Sequence, residues 1–275
     1  MEVARVCSKL KNPVLLVHGM GFRDNNLIGY WGRIPKALEE MGCNVYFGHQ
    51  DSNADIETNG KHLSERINRI IEETGAEKIN IIAHSKGGLD SRYAISSLGM
   101  GDKVASLTTV ATPHHGSKTV DRLMKLPLWL IKFVSFCADC WFRLLGDSNP
   151  NTYKTIRAFT TEMAAKFNVE NPNHNDVLYQ SYAFVMKKPS SDLLMWFPNL
   201  VVRCIEGEND GLLTPESVKW GNFKGAYRGV GKRGISHLDE IDLRRRPLSK
   251  VMGDGVSDIV EIYREIVSDL INNGL

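Results

Sequence analysis

Short apolar runs of strand length recur along this chain, near Val14, Val45, Ile81, Leu107, Ala183 and Val201. Runs of that kind, apolar on both faces rather than alternating, suit strands of a sheet covered on both sides. Between and after them, helical spacing near Ala37, Ile67, Ala94 and Ile259 to Ile271 supplies the covering layers. The alternation predicts an α/β architecture with a mostly parallel central sheet and helices on both faces. One stretch stands apart. Leu126 to Leu145 is dominated by large apolar residues, and wound as a helix it places Lys132, Ser135, Asp139 and Arg143 on one narrow polar stripe. A membrane span needs about twenty predominantly apolar residues and tolerates charge poorly. The stripe, with Pro127 near its start, therefore argues against a transmembrane segment.

Composition adds bounds rather than detail. A chain of 275 residues with 42% hydrophobic content can bury a large core, and residues 1–275 are expected to form one α/β domain. No repeat, low-complexity tract or interdomain linker is evident. A net charge of +2 gives no argument for nucleic acid, and Arg244-Arg245-Arg246 reads as a solvated turn. The opening Met1-Glu2-Val3-Ala4 has neither a basic n-region nor a long apolar stretch. Together with five cysteines, Cys7, Cys43, Cys137, Cys140 and Cys204, it leads us to expect a cytoplasmic protein, or a secreted one if a leader was removed. Cys137 and Cys140 lack a second pair, so packing is expected of them rather than zinc ligation.

The chemistry begins at Ile79-Asn80-Ile81-Ile82-Ala83-His84-Ser85-Lys86-Gly87-Gly88. An apolar strand breaks on a small-x-Ser-x-Gly turn, and Leu89 to Leu98 continues as a helix. In such an elbow the serine takes a strained, positive-φ conformation, and the residues two before and two after must be small so that strand and helix can pass closely. Ala83 and Gly87 meet that need, Ala83 replacing the commoner glycine. The plainer reading is a helix entry with Ser85 near its cap. A serine nucleophile also needs a base and a group to orient it. Leu200 to Ile205, read as a strand, opens into Glu206-Gly207-Glu208-Asn209-Asp210-Gly211. Asp210 is the expected acid, with Glu206 the second choice and Glu208 the least suited. Gly234-Ile235-Ser236-His237-Leu238 places His237 in a loop ahead of the C-terminal helix, and the order Ser85, Asp210, His237 separates it from the other histidines. His49 and His62 look like surface positions, and His84 should point away from Ser85. His114 and His115 either line a pocket or brace the loop carrying Ser117, and His174 sits in a polar loop. The run Val14-Leu15-Leu16-Val17-His18-Gly19-Met20-Gly21 ends a buried strand in glycines, from which the N–H of Met20, with that of Lys86, could form an oxyanion hole.

Four blocks taken together resemble the bacterial true lipases of the α/β-hydrolase superfamily. They are Val17-His18-Gly19-Met20-Gly21 with Tyr30-Trp31-Gly32, Ala83 to Gly88 followed by Arg92-Tyr93, Ala111-Thr112-Pro113-His114-His115-Gly116-Ser117, and Asn209-Asp210-Gly211-Leu212 with His237-Leu238-Asp239-Glu240. The resemblance implies an α/β-hydrolase fold and hydrolysis of carboxylic esters, above all acylglycerols, with Ser85, Asp210 and His237 as triad and no cofactor for the chemistry. It also implies a lid or cap over about 118–180, in which the Leu126–Leu145 helix covers the acyl pocket and opens onto a lipid surface, with Thr152 to Phe167 completing it. A buried core helix is the alternative for that segment. The resemblance further implies structural Ca²⁺ behind the histidine loop, held by Asp192 and Asp239 with carbonyls near Leu243 and Pro247. The three arginines at 244–246 offer a salt bridge to Asp239 instead. The His-rich insertion of a zinc-binding lipase subfamily has no counterpart here. A short-chain carboxylesterase, or a lipid binder without turnover, are the competing functions. Oligomeric state is not legible.

Overall fold

The computed structural model describes residues 10–24, 29–251 and 253–275. Cys7 and the Met1–Ala4 opening, on which the expectation about a leader rests, lie outside them. Six strands form one sheet: β1 (Val14–Val17), β2 (Val45–Phe47), β3 (Ile79–His84), β4 (Val104–Val110), β5 (Leu178–Val185) and β6 (Asn222–Arg228). Their order is β2-β1-β3-β4-β5-β6, every neighbouring pair parallel. The register pairs Val17 with Ala83 and His84 with Val110, so the carboxyl ends of β1, β3 and β4 finish side by side. A functional site in such a sheet belongs at that edge.

Both faces are covered, as the unalternated strands require. On one lie α1 (Ile34–Glu40) and α10 (Ile259–Asn272), whose Ile34, Leu38, Tyr263, Ile266 and Leu270 pack with Leu16, Ile82 and Phe184 of the sheet. On the other lie α2 (Ile56–Thr74) and α3 (Lys86–Ser96), where Leu63, Ile67, Ala94 and Ile95 meet Leu15, Ile81 and Leu107. The α2 helix starts where Asp55 accepts the Thr58 N–H and stops at Gly75, whose φ of 68° closes the last turn.

Two expectations fail in this region. Leu200 to Ile205 is not a strand but the end of α8 (Trp196–Ile205). Its β-branched residues suit a strand, yet Phe197, Val201 and Val202 recur at helical spacing and line one cavity, and that burial overrides local preference. The sixth strand is instead β6, a half-buried edge of sequence Asn-Phe-Lys-Gly-Ala-Tyr-Arg. An edge strand with one free side carries polar residues and so has no apolar run to betray it.

Between β4 and β5 stand four helices: α4 (Lys118–Leu123), α5 (Leu128–Leu144), α6 (Thr152–Ala158) and α7 (Thr161–Glu170). The α5 helix buries only Ile131 and Ser135. On the same side, Asp139 accepts from the N–H and hydroxyl of Thr152 at 2.7 Å each. Most of its other large apolar residues, Trp129, Phe133, Phe136 and Leu144 among them, are exposed to solvent, which removes the buried-core alternative. No described helix is long and apolar enough to cross a membrane.

Candidate active site

Strand β3 carries a fully buried Ala83 and ends at His84, and the chain turns at Ser85 with φ 52° and ψ −129°, a conformation costly for a residue with a Cβ. The turn is held from β4: the Ser85 N–H donates to the Val110 carbonyl at 2.9 Å, and the Thr112 hydroxyl donates to the Ser85 carbonyl at 2.7 Å. A Cβ on Gly87 would stand 2.4 Å from the His18 carbonyl oxygen, so only glycine lets α3 pass β1 this closely.

The acid and the base arrive by longer routes. The loop after α8 lies along the end of β5, where the Met186 N–H donates to the Asn209 carbonyl at 2.9 Å. Asp210 therefore reaches the sheet edge from a helix, not from the strand the sequence suggested. Its Oδ1 accepts the N–H groups of Leu212 and Leu213 at 2.7 and 2.8 Å, which fixes the carboxylate and leaves Oδ2 free to face His237. The His237 N–H donates to the Asp210 carbonyl at 2.8 Å, binding the two loops together. His237 Nδ1 stands 2.8 Å from Asp210 Oδ2, and Nε2 stands 3.1 Å from Ser85 Oγ. An ionised Asp210 can only accept, so Nδ1 carries the proton and Nε2 is left to receive that of Ser85.

The structure thus brings Ser85, His237 and Asp210 into one chain of hydrogen bonds. The two alternative acids lie elsewhere. Glu206 accepts from the hydroxyls of Ser117 and Thr119, and Glu208 pairs with Arg228 at the surface. Gly19 brings the first loop against the elbow, a Cβ there falling 2.8 Å from that of Ser85. Met20 lines the same cavity as Ser85, and neither its N–H nor that of Lys86 donates to another described residue. The Lys86 side chain turns away into a buried pair with Asp90 at 2.7 Å.

His84 forms the back of the site: it lines the same cavity as Ser85, and its ring lies 4.5 Å from that of His237. A relay without an expected role holds it. The Gly19 N–H donates to the Tyr30 hydroxyl at 2.9 Å, that hydroxyl meets His84 Nδ1 at 2.7 Å, and His84 Nε2 meets Glu240 Oε2 at 2.9 Å. Burial first, then the neighbouring His237 and His18, holds His84 well below the usual histidine range. Burial, then the charge of Asp210, pushes Glu240 well above the usual carboxyl range. Two polar residues embedded in motif blocks, Tyr30 and Glu240, were the available signal. His114 is buried against Thr109 and Arg92, and His115 is tied to Lys219, so neither faces Ser85.

Before Ser85 opens a cavity of about 510 Å³, almost wholly apolar. Phe22, Val120, Phe159, Phe197, Val201 and Leu238 are among its walls. No residue of α5 lines it, contrary to the expectation that the apolar face of that helix would cover the pocket.

The implied calcium ligands do come together, but with cations already on them. Ser236 Oγ lies 2.9 Å from both Asp192 Oδ2 and Asp239 Oδ2. Arg233 Nη2 reaches both oxygens of Asp239 at 2.8 and 2.7 Å, and Arg244 Nη2 reaches Asp192 Oδ2 at 2.9 Å. Calcium takes six to eight oxygen ligands at about 2.3–2.6 Å. Carboxylate oxygens committed to guanidinium, hydroxyl and amide donors do not fit that requirement. Two other groupings of potential ligands occur among the described residues. His84, His237 and Glu240 form the back of the site, and Asp102, His174 and Asp176 meet near the surface.

Comparison with known proteins points to esterases and lipases. The family described as "Putative serine esterase (DUF676)" matches residues 35–147. Triacylglycerol lipase 2 of Saccharomyces cerevisiae is 30% identical over 263 residues, covering 90% of this chain and 74% of its own length. The triacylglycerol lipase of Vibrio cholerae is 27% identical, covering 98% of this chain and 90% of its own. The mature Bacillus licheniformis lipase BlEst2 superposes with a TM-score of 0.65 at 22% identity, over 86% of this chain and 88% of that one. The last shows a shared fold, the α/β-hydrolase arrangement.

Proposed function

The chain belongs to the triacylglycerol lipase family and is a carboxylic ester hydrolase; from that premise we propose that it cleaves acylglycerols, with Ser85 as nucleophile, His237 as base and Asp210 as its orienting acid. The observation that carries this is the Ser85–His237–Asp210 chain at the mouth of an apolar cavity, which offers an acyl chain a dry wall and its ester carbon a nucleophile. Ser85 Oγ attacks the carbonyl carbon while His237 Nε2 takes its proton, and the N–H groups of Met20 and Lys86 receive the negative oxygen. Collapse of that intermediate expels the alcohol, which takes the proton from Nε2. Water then repeats the sequence on the acyl-enzyme and releases the acid. Asp210 stabilises the imidazolium in both halves.

The residues 118–180 act, in this reading, as a cap whose α5 face adsorbs to a lipid surface. A second reading, a carboxylesterase acting on dissolved esters, is favoured by the way the far end of α5 is fastened. Asp147 accepts from Ser52 and Asn53, and Arg23 donates to the Gly146 carbonyl. Hydrolysis of p-nitrophenyl esters from short to long acyl chains, dissolved and emulsified, separates the two. A rise at the emulsion interface with long chains is expected, and a preference for short dissolved esters favours the esterase. A folded protein without turnover, and without phosphonate adduct on Ser85, favours a lipid binder.

A further inference from the structure

Asp192, Arg233, Ser236, Asp239 and Arg244 come from three segments that all border the candidate site. Asp192 follows β5, and its Oδ1 accepts the N–H groups of Leu194 and Met195, the turn that starts α8 and hence one wall of the cavity. Arg233 lies in the loop after β6, and its Nε also donates to the Ser191 carbonyl at 2.9 Å. Ser236 and Asp239 flank His237, and the Ser236 N–H donates to Asp239 Oδ2 at 2.9 Å. Arg244 closes the turn, its Nε 3.4 Å from Asp239 Oδ1. Both carboxylates are nearly fully buried, at 4% and 2% exposure, and each oxygen already has a donor. Two negative charges meet two positive ones, so the cluster is neutral as it stands. A divalent cation would have to enter against two guanidinium groups and strip donors from buried oxygens, a cost its attraction to the carboxylates would not offset.

We propose that the Arg233 and Arg244 guanidiniums serve here as the built-in cations of the histidine loop, making Arg233 a positioning residue for His237 and leaving the protein independent of divalent metal. Arg233 does most of the work, since its Nη2 lies within 2.8 Å of both oxygens of Asp239 while its Nε donates to the Ser191 carbonyl, so that one planar guanidinium ties the two loops. Arg33 braces the other side of the same turn, donating to Asp242 from its N–H, Nε and Nη2 at 2.7 to 2.8 Å.

The inference rests on the hydrolase reading of His237, and its test is built so that the two fail separately. The full chain is assayed on a dissolved p-nitrophenyl ester and unfolded thermally, once in chelator and once in millimolar calcium. Rates agreeing within about twofold and an unchanged Tm are expected. Arg233→Gln/Arg244→Gln, which uncovers the two carboxylates, is expected to lower kcat about tenfold or more with a smaller change in KM. Calcium should raise the Tm of this variant and recover part of its kcat. Arg233→Lys, which keeps the charge but cannot donate to Asp239 and the Ser191 carbonyl in the same fixed plane, should fall between. A wild-type protein that loses activity and Tm in chelator and regains both with calcium overturns the proposal, as does a double variant that turns over like the wild type. If the double variant does not fold, Arg244→Gln decides: a lowered Tm that calcium raises supports the clamp, and an unchanged Tm overturns it. Failure on every ester with a metal-independent Tm would sink the hydrolase reading and leave the clamp standing.

Discussion

Around His237, the residues Asp210, His84 and Glu240 are buried and joined by hydrogen bonds, whereas along α5 the side chains of Trp129, Phe133, Phe136 and Leu144 stand 60–82% exposed. In the first region, chemistry requires atoms held within tenths of an ångström, and low-dielectric surroundings make each bond count. In the second, the polar stripe is fastened through Asp139, but the large apolar side chains have no such partner. Covering one such apolar side chain contributes about 1.5–3 kcal/mol, which is why the proposed function assigns this exposed row to contact with a lipid surface. In the proposed reading, the first region performs the reaction and the second brings it to substrate. Substitutions in the first region should destroy turnover on every ester, and those in the second only turnover at an interface.

The largest expected effect is that of Ser85→Ala, a loss of about 10⁴-fold or more in kcat on every ester with the fold intact, read by steady-state kinetics beside circular dichroism. Retained turnover would break the comparison at its root. Asp210→Asn comes next, with roughly a 10³- to 10⁴-fold fall in kcat, because an amide at Oδ2 favours the wrong imidazole tautomer. Opposite in kind is Trp129→Ser/Phe133→Ser/Phe136→Ser on α5. It should cost about tenfold on emulsified long-chain esters and less than about twofold on dissolved short ones. An equal loss on both would show that α5 shapes the catalytic site after all. Val202→Trp, at the cavity wall, should lower turnover of long acyl chains about tenfold while sparing short ones, as the chain-length profile would report.

The smallest effect concerns pH. Because His84 is held below its ordinary value of 6.5, the unfolded chain gains a proton there that the folded one refuses. Its contribution to stability is whole above that value and is lost as pH falls below it. His84→Gln should flatten this acid limb in denaturant unfolding measured between neutral and mildly acidic pH, and an unchanged slope would exclude His84 as its source.

Much of the first region was legible in the chain. Positive φ at Ser85, the small neighbours Ala83 and Gly87, and the passage from β3 into α3 are all consequences of adjacent residues, and the structure bears out that local geometry. The second region was legible in part. The polar stripe of α5 was visible, and Ser135 and Asp139 do face protein. The direction of its apolar face was not, because amphipathic spacing shows that a helix has two sides but not which one a neighbour will cover.

By itself, then, the sequence determined the alternation of strands and helices on a parallel sheet, the elbow at Ser85 and the chain order of the residues that meet there. Those features depend on periodicity and on steric demands between neighbours a few positions apart. Tertiary structure alone decided that Leu200–Ile205 would be helical, that Asp210 would reach the edge of β5 from that helix, and that Arg233 would take Asp239. It alone set Tyr30 and Glu240 on either side of His84. Each of these pairs elements distant in the chain, and the burial that settles them depends on what packs above and below, which no local run of residues records.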